Sequence, residues 1–228
     1  MLRAISWDMD GTLVNTEPQW TAAAVELSRE LGKELSPEMQ AKLLGASSPD
    51  IVAGIIATIG DQNLNPDALE DALHEKVLAK VRAHCPYMPG VKNLLAHLKA
   101  SGLPMALSTN TPREVTGPML DIIGPEFFTT SVCGDEVPNP KPAPDIYLRA
   151  CELLGSTPET TLVFEDSLTG MRAAIDAGCH VVGLPEPEIN PELIPEGVHL
   201  LADLNGDRTY EGLNREILES WVKEWSMN

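Results

Sequence analysis

Apolar residues fall along this chain in two alternating rhythms. Leu2 to Trp7 is a short, nearly continuous apolar run that stops at Asp8, the pattern of a buried strand. Met105–Ser108, Phe128–Cys133, Leu162–Glu165 and His180–Leu184 repeat it, and Val198–Leu204 reads as a short edge strand. Between them, apolar positions recur at helical spacing. Val91, Leu94, Leu95 and Leu98 form one such face, closed by Gly102. Pro144 to Leu154 forms another, with Ile146, Ala150 and Leu153 expected to face inward, and Leu168–Ala177 a third, built of small residues. A last helix near Leu213–Trp225 would pack Leu218, Trp221 and Val222 on the core. Thr111-Pro112 opens a further helical segment that Gly117-Pro118 is expected to interrupt, since proline lacks an N–H and collides with the preceding turn. Strands alternating with helices predict an α/β fold, a parallel sheet covered on both faces.

The stretch from Thr16 to Pro86 breaks that alternation. Four helical patterns follow one another with no strand between them. Trp20, Ala23, Ala24, Leu27 and Leu31 lead to Gly32; Ser36-Pro37 opens a short helix to Leu44, closed by Gly45. Ser48-Pro49 opens a third, with Ile51, Val52, Ile55, Ile56 and Ile59 before Gly60, and Asn65-Pro66 a fourth, carrying Leu69, Leu73, Val77 and Val81. Proline just inside a start and glycine just past an end are the residues that helix termini favour. The expected organisation is therefore an α/β domain from residues 1–15 and 87–228, with a small helical bundle, residues 16–86, inserted into it.

Composition narrows the partners. Thirty-four acids against 16 bases give a net charge of −18, which disfavours nucleic acid and anionic membrane surfaces. An anionic substrate must then be drawn in by local positive charge. The four cysteines, Cys85, Cys133, Cys151 and Cys179, are scattered and form no CxxC, so neither a disulfide framework nor a zinc site is expected. No run approaches the roughly 18 apolar residues of a membrane span, and acids follow the first apolar run directly, unlike a signal peptide. A cytoplasmic protein is expected.

The chemistry concentrates where strands end. Asp8-Met9-Asp10-Gly11-Thr12 follows the first strand. Residues two apart on an extended chain face the same side, so both carboxylates could lean into one crevice; if the chain turns, Asp10 also offers its backbone carbonyl. Two acids so close call for a hard cation such as Mg²⁺. Alone, the segment is equally well an ordinary polar turn. Three later segments change that balance: Ser108-Thr109-Asn110, Lys141 within the proline-stiffened Asn139–Asp145, and Glu165-Asp166-Ser167. Asp8, Thr109 and Asp166 lie at the carboxyl ends of expected strands, where open α/β sheets bind ligands.

In order, spacing and local context these segments resemble the four motifs of the haloacid dehalogenase-like hydrolases: DxDGT, a Ser/Thr, a Lys and a terminal acidic pair. The resemblance runs from Met1 to about Leu184. It implies a Rossmann-like core with a helical cap inserted after the first motif, and Mg²⁺-dependent hydrolysis of a small phosphorylated metabolite. It further implies Asp8 as nucleophile, forming an aspartyl-phosphate, and Asp10 as general acid and base. Mg²⁺ would be held by Asp8, the Asp10 carbonyl and Asp166, with Glu165 a further ligand or an acceptor that orients metal-bound water. Thr109, Asn110 and Lys141 would bind the phosphoryl group. Gly45, Ala46 and Ser47 are expected to read the leaving group. The alternatives are a β-phosphoglucomutase-like sugar phosphomutase and, less favoured, a non-catalytic phosphate- and Mg²⁺-binding module. Phosphatase is preferred because mutase relatives carry a cap histidine where Trp20 stands, and often a valine at Thr12. Many related sugar-phosphate enzymes also have an arginine after the cap glycine, where Ala46-Ser47-Ser48 stands here. The partner is a small phosphate ester, and the assembly expected is a monomer or weak dimer.

Overall fold

A computed structural model describes residues 1–43, 46–187 and 189–227. The chain forms two compact units, Met1–Asn15 with Tyr87–Asn228, and Thr16–Pro86. Strand β1 (Ala4–Trp7) opens the first unit, and all four of its residues are buried. Helices α1 (Glu17–Glu30), α2 (Pro37–Leu43), α3 (Ser48–Ile59) and α4 (Pro66–Ala83) make up the second. There α1 packs on α3 and α4, burying Ala23, Ala24, Leu27, Ile51, Val52, Ile55, Leu73 and Val77. Leu44 and Gly45, the expected end of α2, lie outside the described residues.

After Tyr87 the chain alternates: α5 (Val91–Ala100), β2 (Met105–Thr109), α6 (Arg113–Ile123), β3 (Thr130–Cys133), α7 (Asp145–Leu154), β4 (Thr161–Glu165), α8 (Leu168–Ala177), β5 (His180–Gly183), β6 (Val198–Leu200), α9 (Leu201–Asn205) and α10 (Arg215–Trp225). The six strands form one parallel sheet in the order β3-β2-β1-β4-β5-β6. The chain builds outward from β1 in one direction, then returns to its other side. That reversal, between β1 and β4, is where such sheets open a crevice at the strand ends. Register is tight at the centre, with Trp7 opposite both Leu107 and Phe164. Side-chain alternation divides the core. On one face Trp7 stacks on Phe164, centroids 4.3 Å apart, with Tyr210 edge-on to both. On the other, Ala106, Val132 and Val163 pack against Ile146, Tyr147 and Ala150 of α7 and Met171 and Ala174 of α8.

Three expectations need correction. Helix α6 runs unbroken through Pro118. The cost of an interior proline, about 3 kcal/mol, is offset by burying Val115, Met119 and Ile123 on the same helix, each contributing roughly 1.5–3 kcal/mol. Leu153 is 40% exposed; the inward face of α7 is instead Ile146, Tyr147, Ala150 and Cys151, an i, i+1, i+4, i+5 stripe. Finally, the edge strand β6 stops at Leu200, where the chain turns into α9 so that Leu201 is buried.

The departure and return of the inserted segment are tied to each other by main chain. Val14 forms an antiparallel bridge with Tyr87, and the Met88 N–H donates to Leu13 O at 2.9 Å.

Candidate active site

β1 ends one residue before Asp8, and the chain then turns. Leu13 and Val14 N–H groups both donate to Met9 O, and the Gly11 N–H donates to Val14 O at 2.8 Å. Gly11 sits at φ +78°, and a Cβ there would lie 2.0 Å from Asp166 Oδ2. Only glycine permits both that conformation and that approach. Because of the turn, the two aspartates take different partners. Asp10 Oδ2 accepts the Thr111 hydroxyl at 3.0 Å. Thr12 is buried, donates to Asp166 Oδ1 at 3.4 Å, and its carbonyl accepts the Tyr210 hydroxyl at 3.0 Å.

Asp8, 7% exposed, meets Lys141. The lysine ammonium donates to Asp8 Oδ1 at 2.6 Å, to Glu165 Oε1 at 2.6 Å and to the Ser108 carbonyl at 2.9 Å. Those three acceptors use all three of its protons. Glu165 is fully buried and equally committed. Its Oε1 also accepts the Tyr147 hydroxyl at 2.8 Å, while Oε2 accepts the N–H and hydroxyl of Ser167 at 3.1 and 3.0 Å. The loop that presents Lys141 is held by Asn110, whose side chain accepts the Lys141 N–H at 2.9 Å and donates to its carbonyl at 3.0 Å. Of the two donors Asn110 could offer a phosphate, backbone or amide, the amide is engaged with the lysine's own backbone. Thr109, also buried, ends β2 and accepts the Thr111 N–H at 3.1 Å.

The electrostatics follow from burial and charge count. Burial and the Glu165 charge push the Asp8 carboxyl up to about 8, against the opposing pull of Lys141. Asp166 is held well above the usual carboxylate range by burial and by the charges of Asp8 and Glu165. Burial opposes the charged form of Lys141, but Asp8 and Glu165 outweigh it and raise its pKa. Asp8, Glu165 and Asp166 each offer an oxygen, all within 4.8 Å of one another. Three carboxylates around one ammonium leave an excess of negative charge that a divalent cation would neutralise, and hard oxygen donors suit Mg²⁺. Since protein donors already occupy both Glu165 oxygens, Asp8 and Asp166 are the carboxylates best able to hold it. The Asp10 carboxylate is not part of that cluster, which leaves its backbone carbonyl as the group expected to contribute.

The residues expected to read the leaving group divide differently. Gly45 lies outside the described residues. Ala46 is half-buried, its N–H donating to Leu43 O at 3.1 Å. Ser47 caps α3: its hydroxyl accepts the Asp50 N–H at 3.4 Å and donates to Asp50 Oδ2 at 2.6 Å. That hydroxyl is occupied by the helix it starts. Tyr147 and Tyr210 were not singled out by sequence reasoning, and Thr111 was read only as the start of a helical segment. Tyr147 alone left a signal, a phenol on a helix face of small apolar residues, where a buried hydroxyl needs a partner.

A family model for haloacid dehalogenase-like hydrolases matches residues 5–184, most of the chain. The chain belongs to that family. A phosphorylated carbohydrates phosphatase of Thermotoga maritima is 31% identical over 181 residues, covering 78% of this chain and 82% of that protein. A phosphoglycolate phosphatase of Thiobacillus denitrificans is 34% identical over 191 residues, covering 81% and 83%. Among solved structures, CbbY from Rhodobacter sphaeroides in complex with phosphate superposes with a TM-score of 0.79 at 28% identity, covering 96% of this chain and all of that one. This haloacid dehalogenase-like hydrolase is accordingly a phosphatase with a Rossmann-like parallel core. Among the described residues, no helix is long and apolar enough to cross a membrane.

Proposed function

We propose that this phosphatase hydrolyses a small phosphorylated metabolite by covalent catalysis, with Asp8 as the nucleophile. The observation that carries the reading is the Lys141 ammonium, buried and 2.6 Å from Asp8 Oδ1. In a pocket of excess negative charge, that cation favours the ionised form of Asp8 against burial and the other acids, aims it, and offsets charge on an incoming phosphoryl group. Asp8 attacks phosphorus in line, forming the aspartyl-phosphate, and Asp10 gives its proton to the departing alkoxide. In the second step Asp10 takes a proton from the water that cleaves the acyl phosphate. The Thr111 hydroxyl donated to Asp10 Oδ2 supports this role by orienting the carboxyl group. Asp8, Asp166 and the Asp10 carbonyl would hold Mg²⁺, whose chemistry is to offset charge on the phosphoryl oxygens. Thr109 and the main chain of Asn110 stand at the end of β2, where the phosphoryl oxygens need donors. The helical segment 16–86 is read as the family's cap, and the curated relatives, which act on phosphorylated carbohydrates and phosphoglycolate, support a small metabolite as substrate.

The test is turnover of an aryl phosphate by the purified protein with Mg²⁺. Continuous turnover is expected, and Asp8→Asn should abolish it while circular dichroism stays native, since the exchange is nearly isosteric. A single stoichiometric burst in the wild type, or substantial turnover in a folded Asp8→Asn variant, would overturn the reading.

A further inference from the structure

We infer that Tyr147 is a positioning residue for Lys141, acting through Glu165 and through the face of its own ring. The inference rests on the reading above, in which Lys141 serves the phosphoryl group. Tyr147 lies on the buried face of α7 and is itself fully buried. Its hydroxyl donates to Glu165 Oε1 at 2.8 Å, the same oxygen that Lys141 reaches at 2.6 Å. The ring centroid is 5.1 Å from the ammonium, within the distance at which an aromatic face attracts a cation. One side chain thus touches the lysine and also the group that holds it.

A lysine ammonium ends a flexible stem, so its position is set by its acceptors. Lys141 is drawn to Asp8 and to Glu165 over equal distances of 2.6 Å. It can stand on Asp8 in one geometry only while Glu165 is itself fixed. Ser167 anchors Oε2, and Tyr147 supplies the second hydrogen bond to Oε1. Without that hydroxyl, Oε1 is held by the ammonium alone, and the pair can shift together about the Ser167 bonds to Oε2. Small displacements of a transition-state cation reduce the chemical step far more than they reduce binding.

Two substitutions separate the contributions in the full-length enzyme. Tyr147→Phe keeps the ring and removes only the hydroxyl; Tyr147→Leu removes both. With Mg²⁺ and an aryl phosphate, Tyr147→Phe is expected to lower kcat about tenfold while KM stays within about twofold, and Tyr147→Leu to lower kcat further. In a Lys141→Met background, Tyr147→Phe should change residual turnover less than about twofold, because residues acting as a unit are not additive. Wild-type kcat in a folded Tyr147→Phe variant, or the same fold loss in both backgrounds, would overturn the inference. Should near-ultraviolet circular dichroism show that Tyr147→Phe has not folded, Glu165→Gln carries the same test. A lower kcat at unchanged KM supports positioning, and wild-type kcat refutes it. A wild-type protein that gives no turnover overturns the phosphatase mechanism instead, and is recognised before any variant is compared.

Discussion

Substituting Gly170 by alanine offers a direct test of how firmly the buried carboxylates are held. Gly170 lies in the first turn of α8, its N–H donating to Ser167 Oγ at 3.0 Å. On helix propensity alone, alanine there would gain about 1 kcal/mol. Its Cβ, however, would stand 1.7 Å from Glu165 Oε1, 2.0 Å from Cδ and 2.3 Å from Oε2. An exposed glutamate would swing aside at little cost. Glu165 has no solvent to swing into, and moving it breaks bonds from Lys141 and Tyr147. Hydrogen bonds to charged groups are worth roughly 1.5–3 kcal/mol each, so losing two costs about 3–6 kcal/mol. The net destabilisation after the propensity gain is about 2–5 kcal/mol. Urea unfolding measures it, with the m-value compared to confirm that only stability has changed. If Gly170→Ala matches the wild type in both stability and turnover, the picture of an immobile Glu165 is wrong.

Other outcomes follow from the same charges. The metal-free protein should lose stability as pH rises from about 5 to 8. Over that range the folded state keeps a proton on Asp8, whose pKa is pushed up to about 8, while the unfolded chain has already released it. The slope is at most about 1.4 kcal/mol per pH unit for each retained proton, and saturating Mg²⁺ should flatten it. Thermal melts with chelator and with Mg²⁺ measure both, and stability that rises over this window would contradict the assignment. Excess chelator should abolish turnover, Mg²⁺ restore it and Ca²⁺ inhibit, because the larger ion takes longer, looser contacts and misplaces Asp8; full activity in chelator would remove the metal from the mechanism. Ser47→Ala should cost about 1 kcal/mol in urea unfolding through loss of the α3 cap, and an unchanged midpoint would show that Asp50 is held by other means.

What was legible in the sequence is what depends on local pattern. The strands that close at Trp7, Thr109 and Glu165 are short apolar runs stopped by polar residues, and the structure ends them there. The helices of residues 16–86 announce themselves by proline near the start, and α3 also ends at a left-handed glycine, Gly60. Features set by tertiary packing were not legible. Pro118 should break a helix, yet α6 persists because its buried face decides. Leu153 has the right spacing to face inward, but Tyr147 and Cys151 take that side. In the site, Asp8, Lys141, Glu165 and Asp166 come together from three segments far apart in sequence. Family pattern anticipated their meeting; propensity could not. The partners of the Asn110 and Ser47 side chains were not legible either: each carries a polar group that could face a ligand, and in each it also binds nearby main chain.

The bridge between Val14 and Tyr87 bears on how such a chain can change over evolutionary time. Because the two ends of the intervening segment are neighbours in the main chain, the α/β unit has the same connectivity whatever lies between them. The entropy of closing a loop grows only slowly, by about 0.6 kcal/mol for each doubling of length. A segment that leaves and returns at one doorway can therefore lengthen, shrink or be exchanged while the distance from Lys141 to Asp8 stays as the sheet sets it. The length of the segment between the two ends can then change without moving the strand ends that carry the chemistry.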